Sequence, residues 1–416
     1  MLAAYPALLL TGIFSMWTMF TPAGAEDFDD WKDSFRATAI AQGISAELYD
    51  REMASVSKIP RVMELNSAQP EFTKAIWQYL ESAVSEKRIS DGRNNMALHE
   101  DLLAKIETAY GVDSEVIAAI WGLESSYGRI MGDYDTLSAL ATLGHEGRRI
   151  TFGRSQLIAA LKILQNHYAD RETLKGSWAG AMGQTQFIPT TYLAYAVDYD
   201  GDGHRDLWGN HGDVFASTAN YLSRSGYIAN DPWGFEVSLP EGFDYAIADR
   251  GNRQSLAFWQ GLGVTRANGT PLSDNADLNA DAAIILPAGA NGPAFIILQN
   301  FRAILRYNNS TSYALGISLL SDQLAGRDTS LVKPWPVQDR PLNLEERKAL
   351  QQALRDKGYN PGPVDGIIGA GTRKALRQWQ KDQGLPADGY ASALILARLM
   401  PEPPSAPTPP QPQDNE

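Results

Sequence analysis

One carboxylate in this chain is placed where carboxylates are costly. In the run Ile117-Ala118-Ala119-Ile120-Trp121-Gly122-Leu123-Glu124-Ser125-Ser126-Tyr127-Gly128, Ile117, Ile120, Trp121 and Glu124 fall at i, i+3, i+4 and i+7. That spacing is one face of an α-helix. Asp113 stands where an N-cap is needed, Glu115 suits the positive end of the helix dipole, and Gly128 is placed to stop the helix. Burying a charged carboxylate is unfavourable, so the proton on Glu124 should be held to higher pH. A carboxyl still protonated near neutrality can serve as a general acid. Periodicity alone favours a plainer alternative, a Glu at the stripe's edge that reaches water or pairs with Arg129. The rest of the sequence shifts the balance.

Two further stretches carry chemistry. Gly176-Ser177-Trp178-Ala179-Gly180-Ala181-Met182-Gly183-Gln184-Thr185-Gln186-Phe187-Ile188-Pro189 mixes glycines, small residues and two glutamines in an apolar setting. Glycine lets a ligand or a second backbone come close, and Gln offers amide donors and acceptors without charge. That suits a neutral, hydroxyl-rich, amide-bearing ligand such as an amino sugar, and equally a tight crossing of small residues. Asp198-Tyr199-Asp200-Gly201-Asp202-Gly203-His204-Arg205-Asp206 lies downstream, with aspartates at positions 1, 3, 5 and 9 of a loop and Gly at 6. This is the first half of an EF-hand calcium loop. Position 12, where a bidentate Glu is usual, is Gly209, and Asp213 beyond it can close an enlarged loop. Aspartates so spaced repel one another unless a cation lies among them. The ion is expected to be structural, and the alternative is a solvated acidic turn.

Composition narrows the function. The formal net charge of −13 lacks the basic footprint that nucleic acid requires, so no nucleic-acid partner is expected. The chain has no cysteine, which excludes disulfides, thiol nucleophiles, Cys-ligated zinc and a thioether-linked lipid anchor. Five histidines without an HExxH pair argue against catalytic zinc. Residues 1–25 read as an export signal, with an apolar run from Ala7 to Thr21 and Ala23-Gly24-Ala25 as the cleavage site, although they contain no Lys or Arg. A soluble periplasmic protein is expected, an uncleaved membrane anchor being the alternative.

The elements that must position these residues are mostly helical. Trp31, Phe35 and Ala39 repeat at helical spacing, as do Ala75, Ile76, Tyr79, Leu80 and Ala83, and Leu98, Leu102, Leu103 and Ile106. Further helices are expected over 137–143, 156–168, 215–225 and 313–324. From Trp233 to Pro287 short apolar runs alternate with Gly, Asn, Asp and Pro, which reads as a small β insertion. Residues 331–341 read as a linker. Residues 342–400 form a second unit of three helices, with Asn343 and Glu346 as a capping box. Residues 401–416 are Pro-rich and expected to be disordered.

Taken together, these motifs resemble the lytic murein transglycosylases of the membrane-bound lytic transglycosylase B type, over about residues 30–326. The Glu-Ser-Ser-Tyr-Gly run corresponds to the family's catalytic acid, here Glu124. The Ser-Trp-Ala-Gly-Ala-Met-Gly-x-x-Gln-Phe-x-Pro run corresponds to the sugar cleft, with Ser177, Gln184 and Gln186. The Asp-rich loop corresponds to a calcium site of Asp198, Asp200, Asp202, His204, Asp206 and Asp213. The Arg-Tyr-Asn-x-Ser…Tyr-Ala run corresponds to a second cleft wall of Tyr307, Asn308 and Tyr313. Residues 342–400 resemble a three-helix peptidoglycan-binding domain, marked by Asp365-Gly366, Thr372 and Trp379-Gln380. The chain departs from lipoprotein members in having no Cys, and its acidic loop has one residue more before Asp213.

The resemblance implies a mainly α chain with a lysozyme-like (α+β) catalytic domain over 26–330. The implied substrate is the peptidoglycan glycan strand, cut between N-acetylmuramic acid and N-acetylglucosamine without water to leave 1,6-anhydromuramyl ends. No catalytic cofactor is implied, only structural Ca2+, and other cell-wall enzymes are potential partners. Glycosidases usually use two carboxylates, whereas the motifs supply one, Glu124; Glu146 and Glu172 lie on no apolar face. The alternatives are a hydrolytic muramidase and a non-catalytic wall-binding protein.

Overall fold

The computed structural model describes residues 27–67, 74–274 and 277–400. The expected export signal and Pro-rich tail lie outside the described residues. The organising element is the helix Ser114–Ser125, whose residues Val116 to Gly122 are all buried. The apolar-stripe expectation is corrected here. A helix with Ala118, Ala119 and Gly122 between its large residues is apolar all round, and such a helix belongs inside a core. It packs against the helices Thr311–Leu324, Glu86–Leu98, His211–Arg224 and Glu100–Tyr110. Fully burying Ile117 and Ile120 contributes about 1.5–3 kcal/mol each.

Two boundaries also differ from expectation. Leu98 ends one helix and is 75% exposed, while Leu103 and Ile106 point into the core from the next helix. The interruption at His99 therefore breaks what reads as one stripe. The Ser114–Ser125 helix stops at Ser126, which takes φ 52°, before Gly128 is reached. Asp113 occupies the N-cap position but does not cap with its side chain; its carboxylate accepts from the Tyr227 hydroxyl and the Asn230 N–H instead.

A second core joins the N-terminal helices Phe28–Ala41 and Ala46–Met53 to the pair Thr136–His145 and Ile150–Gln165. A two-residue ladder, β1 (Tyr134–Asp135) on β2 (Lys175–Gly176), fixes the start of the glycine-rich run.

The insertion is a five-stranded antiparallel sheet of β3 (Gly234–Ser238), β4 (Gln254–Ser255), β5 (Thr265–Arg266), β6 (Asp281–Ile285) and β7 (Ala294–Ile297). Its order is β4-β6-β7-β3-β5, with Ile284 opposite Ile296 and Phe235 opposite Ile296 on the other side. The insertion thus extends past Pro287, because the apolar run Phe295–Leu298 supplies its central strand. Leu256, Trp259, Ile284 and Ile296 form its core.

The C-terminal unit has the helices Leu344–Asp356, Ala370–Asp382 and Ala393–Leu399 around Leu350, Leu354, Leu376 and Trp379. Asn343 and Glu346 form the capping box read from the sequence. The segment before it lies against the protein. Glu236 accepts from the Val332 and Lys333 N–H groups, and Trp335 packs on Trp77 and Phe295 with ring centroids 6.5 and 6.3 Å apart. Asp388 accepts from the Ala290 N–H, so the last unit is docked on the insertion.

Candidate active site

Glu124 stands in the last turn of its helix, and the four residues after it are spent on ending that helix sharply. Ser126 and Tyr127 both take left-handed backbone, φ 52° and 60°, which is costly for residues with a Cβ. Neighbouring contacts hold them there. The Tyr127 hydroxyl donates to the Arg88 carbonyl at 2.8 Å, and its ring lies edge-on to Trp121. The ring occupies the space a side chain at Gly122 would need, where an added Cβ would meet it at 2.5 Å. Ser125 Oγ donates to the Trp121 carbonyl and accepts from Gly128 N–H.

Glu124 is surrounded by protein at its carboxyl, while the residue as a whole is only partly buried. The Tyr313 hydroxyl donates to its Oε1 at 2.6 Å. Tyr313 comes from the first turn of its helix, where Ser310 caps. Tyr307 stacks nearly parallel to it, 6.5 Å away and 8° from coplanar, and donates to the Thr185 carbonyl at 2.6 Å. Tyr79 also faces the acid: burial pushes its phenol to about 12, and the Glu124 carboxylate adds to that shift. Burial raises Glu124 from its ordinary 4.5 to about 7, opposed by the Tyr313 hydrogen bond. Both causes involve neutral surroundings; among the described residues no second carboxylate contributes. Glu146 is paired with Lys58 at 3.0 Å, and Glu172 is exposed.

The glycine-rich run forms the adjoining wall. Ser177 Oγ accepts from the N–H groups of Ala179 and Ala181, which leaves its own proton to be donated outward. Gln186 takes φ 52°, and its Nε2 donates to the Met131 and Gly183 carbonyls, so its amide oxygen is the end left for a ligand. Gln184 is different. It is 4% exposed, its Oε1 accepts from Trp121 Nε1 at 2.7 Å, and its Nε2 donates to the Trp208 carbonyl. With both ends of the amide taken, Gln184 ties the run to the acid helix and is not free to bind sugar. The glycines serve close backbone approach: a Cβ at Gly176 would sit 2.0 Å from the Ala181 carbonyl oxygen. Asn308 is exposed at the rim, its Oδ1 accepting from Ser310 N–H.

The structure therefore brings Glu124, Tyr307 and Tyr313 together, with Asn308 next to Tyr307 in the chain and the glycine-rich run that carries Ser177 and Gln186 joined to Tyr307 at Thr185. It adds Tyr79 and, behind Tyr307, Tyr221 and Phe187, with centroids 4.9 and 5.7 Å from its ring. Tyr79 lies on an ordinary amphipathic stripe and Tyr221 in no motif, so only the tertiary fold shows their placing.

In the acidic loop, Asp198, Asp200 and Asp202 present oxygens within 4.8 Å of one another. Two of the other predicted ligands accept from backbone donors. Asp206 accepts from Trp208 and Gly209 N–H, and Asp213, fully buried, accepts from Tyr199 and Asp206 N–H. For His204 a backbone N–H bond to Asp202 is seen. Burial pushes Asp213 up to about 6, and Asp200 and Asp198 push it further in the same direction. A divalent cation among the three loop carboxylates would cancel that repulsion, so the donor set fits one.

Comparison with known proteins identifies the family. A family model described as a transglycosylase SLT domain matches residues 27–322, and a putative peptidoglycan binding domain matches 343–399. The membrane-bound lytic murein transglycosylase B of Escherichia coli is 33% identical over 254 residues, 60% of this chain and 67% of that protein. SltB3 from Pseudomonas aeruginosa, solved in complex with NAG-anhNAM-pentapeptide, superposes with a TM-score of 0.86 at 51% identity, covering 90% of this chain and 99% of the other. The Escherichia coli lytic transglycosylase Slt35 in complex with calcium gives a TM-score of 0.60 at 28% identity, covering 71% and 92%.

Proposed function

The chain belongs to the SLT-domain transglycosylase family, and on that premise we propose that Glu124 alone does both the acid and the base work of the reaction. The enzyme is a peptidoglycan lytic transglycosylase. It cleaves the β-1,4 bond between N-acetylmuramic acid and N-acetylglucosamine and leaves a 1,6-anhydromuramyl end. The observation that carries the assignment is the 2.6 Å bond between Tyr313 and a Glu124 whose proton is held to about pH 7.

Protonated Glu124 donates to the glycosidic oxygen as the bond to C1 breaks. The carbonyl oxygen of the muramyl N-acetyl group closes on C1, and the positive charge spreads over an oxazolinium ring. Ser177 gives its free proton to steady that N-acetyl carbonyl before attack. The carboxylate now on Glu124 takes the proton of the C6 hydroxyl, whose oxygen attacks C1 and releases the N-acetyl group. Glu124 is reprotonated, and no water is consumed. An intramolecular nucleophile gains up to about 7–11 kcal/mol from proximity in favourable systems. Tyr313 orients the carboxyl through both steps. Tyr307 and the amide oxygen of Gln186 line the sugar path, with Asn308 at its rim. A hydrolytic route would need a second carboxylate to hold water; of the two candidates in sequence, Glu146 is paired with Lys58 and Glu172 is exposed.

Mass spectrometry of muropeptides released from purified sacculi tests this directly. Anhydromuramyl products from the native chain and none from Glu124→Gln are expected. Reducing ends in their place would move the function to a muramidase, and full activity in Glu124→Gln would remove the acid assignment.

A structural cation belongs to the same proposal. Asp198, Asp200 and Asp202 would hold Ca2+, whose chemistry there is to neutralise the loop and fix it against the His211–Arg224 helix. Added calcium should raise the unfolding temperature, and Asp200→Asn should blunt the rise; a temperature indifferent to calcium would exclude the site. A periplasmic location follows from the substrate. Among the described residues no helix is long and apolar enough to cross a membrane.

A further inference from the structure

The residue that grips the turn carrying Glu124 lies in no motif. Arg88 stands in the first turn of the helix Glu86–Leu98, where Ser85 is the N-cap and accepts from the Arg88 N–H. Among the described residues its guanidinium bonds go to backbone carbonyls and not to a carboxylate. Nε donates to the Gly122 carbonyl at 3.3 Å, and one terminal nitrogen donates to the carbonyls of Ser82 and, at 3.0 Å, Ala83. Gly122 lies in the last turns of the acid helix, two residues before Glu124. Ser82 and Ala83 end the helix Ile76–Ala83, one turn after Tyr79. A helix leaves its last carbonyls without intrahelical partners, and its dipole is negative there. One cation between two such ends answers both, and guanidinium can do so because its donors point in fixed, separate directions.

The grip is double. The carbonyl of Arg88 accepts from the Tyr127 hydroxyl, so the same residue holds the chain both before and after Glu124. The stretch it spans includes the left-handed Ser126 and Tyr127, a backbone that persists only where contacts hold it. The neighbouring helix is tied to the same place. A Cβ at Gly316 would meet the Tyr79 ring at 3.2 Å and Leu123 at 3.9 Å, so Tyr79 and the residue before Glu124 share one notch on the helix of Tyr313.

We propose that Arg88 is a positioning residue for the reaction: by tying together the C-terminal ends of the Glu124 and Tyr79 helices, it fixes the carboxyl against Tyr313 without touching substrate. The proposal rests on Glu124 as the acid. Helix ends fray, so the last turn is where a reacting group is most easily displaced. A displacement of about 1 Å can cost about a hundredfold in rate.

The test measures kcat and KM separately on a soluble GlcNAc–MurNAc oligosaccharide, at a temperature where circular dichroism shows each variant folded. Arg88→Met keeps an apolar stem and removes the donors. Its kcat should fall roughly tenfold to a hundredfold with KM unchanged. Arg88→Lys should recover part of the loss, since an ammonium keeps the charge but not the fork. Tyr127→Phe keeps the ring and removes only the hydroxyl on the Arg88 carbonyl; its kcat should fall roughly threefold to tenfold, the worth of one hydrogen bond. That variant decides the matter if Arg88→Met does not fold. Arg93→Met is the control on the same helix. It removes a guanidinium bond to the Gln323 carbonyl, at the far end of the Tyr313 helix, and should leave kcat at the native value. Native kcat in Tyr127→Phe and in folded Arg88→Met overturns the proposal. A KM that rises alone overturns it by making Arg88 a substrate contact, and an equal loss of kcat in Arg93→Met overturns it as general destabilisation. Those outcomes leave the acid assignment standing, whereas full activity in Glu124→Gln removes that assignment and this proposal with it.

Discussion

Glu124 and Asp213 are both carboxylates whose protons burial holds to higher pH, to about 7 and about 6. Their partners differ in kind. Asp213 accepts from two backbone N–H groups, Tyr199 and Asp206, which cannot turn away without unfolding the loop. Among the described residues Glu124 accepts from one phenol, Tyr313, on Oε1 alone. Backbone donors make a carboxylate structural, because they commit both oxygens permanently. A side-chain donor on one oxygen leaves the other free to gain and lose a proton. The acid is recognised by what does not bind it.

The contrast is broken most strongly at Glu124. Glu124→Gln keeps the acceptor for Tyr313 but carries no transferable proton, so turnover should fall by about a thousandfold or more. Stability should move the other way. The folded-state pKa lies above the ordinary 4.5, so the native chain binds the extra proton between about pH 4.5 and 7 and loses stability as pH rises through that window. Gln has no charge to bury. The variant should match the native chain at pH 4 and exceed it at pH 8 by of order 2 kcal/mol. Urea unfolding at the two pH values checks this; equal midpoints at pH 8 would mean that Glu124 is not held under strain.

Asp213→Asn should have the opposite sign. The amide nitrogen cannot accept, so one of the Tyr199 and Asp206 N–H groups is left buried without a partner. That costs about 1–3 kcal/mol, partly offset by removing a charge that burial disfavours first and Asp200 and Asp198 disfavour further. A net loss of about 1–2 kcal/mol at pH 8, with KM on glycan unchanged, is expected. An Asp213→Asn chain as stable as the native one would erase the distinction between the two carboxylates.

The two regions also differ in how much of them is legible in the sequence. Glu124 is legible because an acid among Ile117, Ile120 and Trp121 conflicts with its surroundings, and such conflicts mark sites. Asn343 with Glu346 is legible because a capping box is local. Gln184 is misread: a glutamine in a glycine-rich run looks the same whether its amide meets a sugar or, as here, Trp121 and Trp208. Tyr79 is invisible, since its role depends on a helix packed against it from far along the chain. The segment 331–341 reads as linker from its prolines, and only the fold shows Trp335 clamped between Trp77 and Phe295. Conflict and local hydrogen bonding survive in one dimension. Partners distant in sequence do not.

The finest test of the comparison is Tyr313→Phe, which removes the one donor that Glu124 has among the described residues and little else. The ring and its stacking on Tyr307 stay, because only the hydroxyl is lost. That hydroxyl favours the ionised carboxyl, so without it the Glu124 pKa should rise above about 7. The acid must be protonated for the first step, so the alkaline limb of the pH–rate profile should shift up by about half a unit to one unit. Turnover at the optimum should still fall, by roughly tenfold, because the carboxylate needed to deprotonate the C6 hydroxyl is no longer oriented. A faster alkaline limb together with a slower maximum is a signature that simple destabilisation does not produce. A profile that keeps its shape and merely scales down would show Tyr313 acting as packing, and Glu124 would then be set by burial alone.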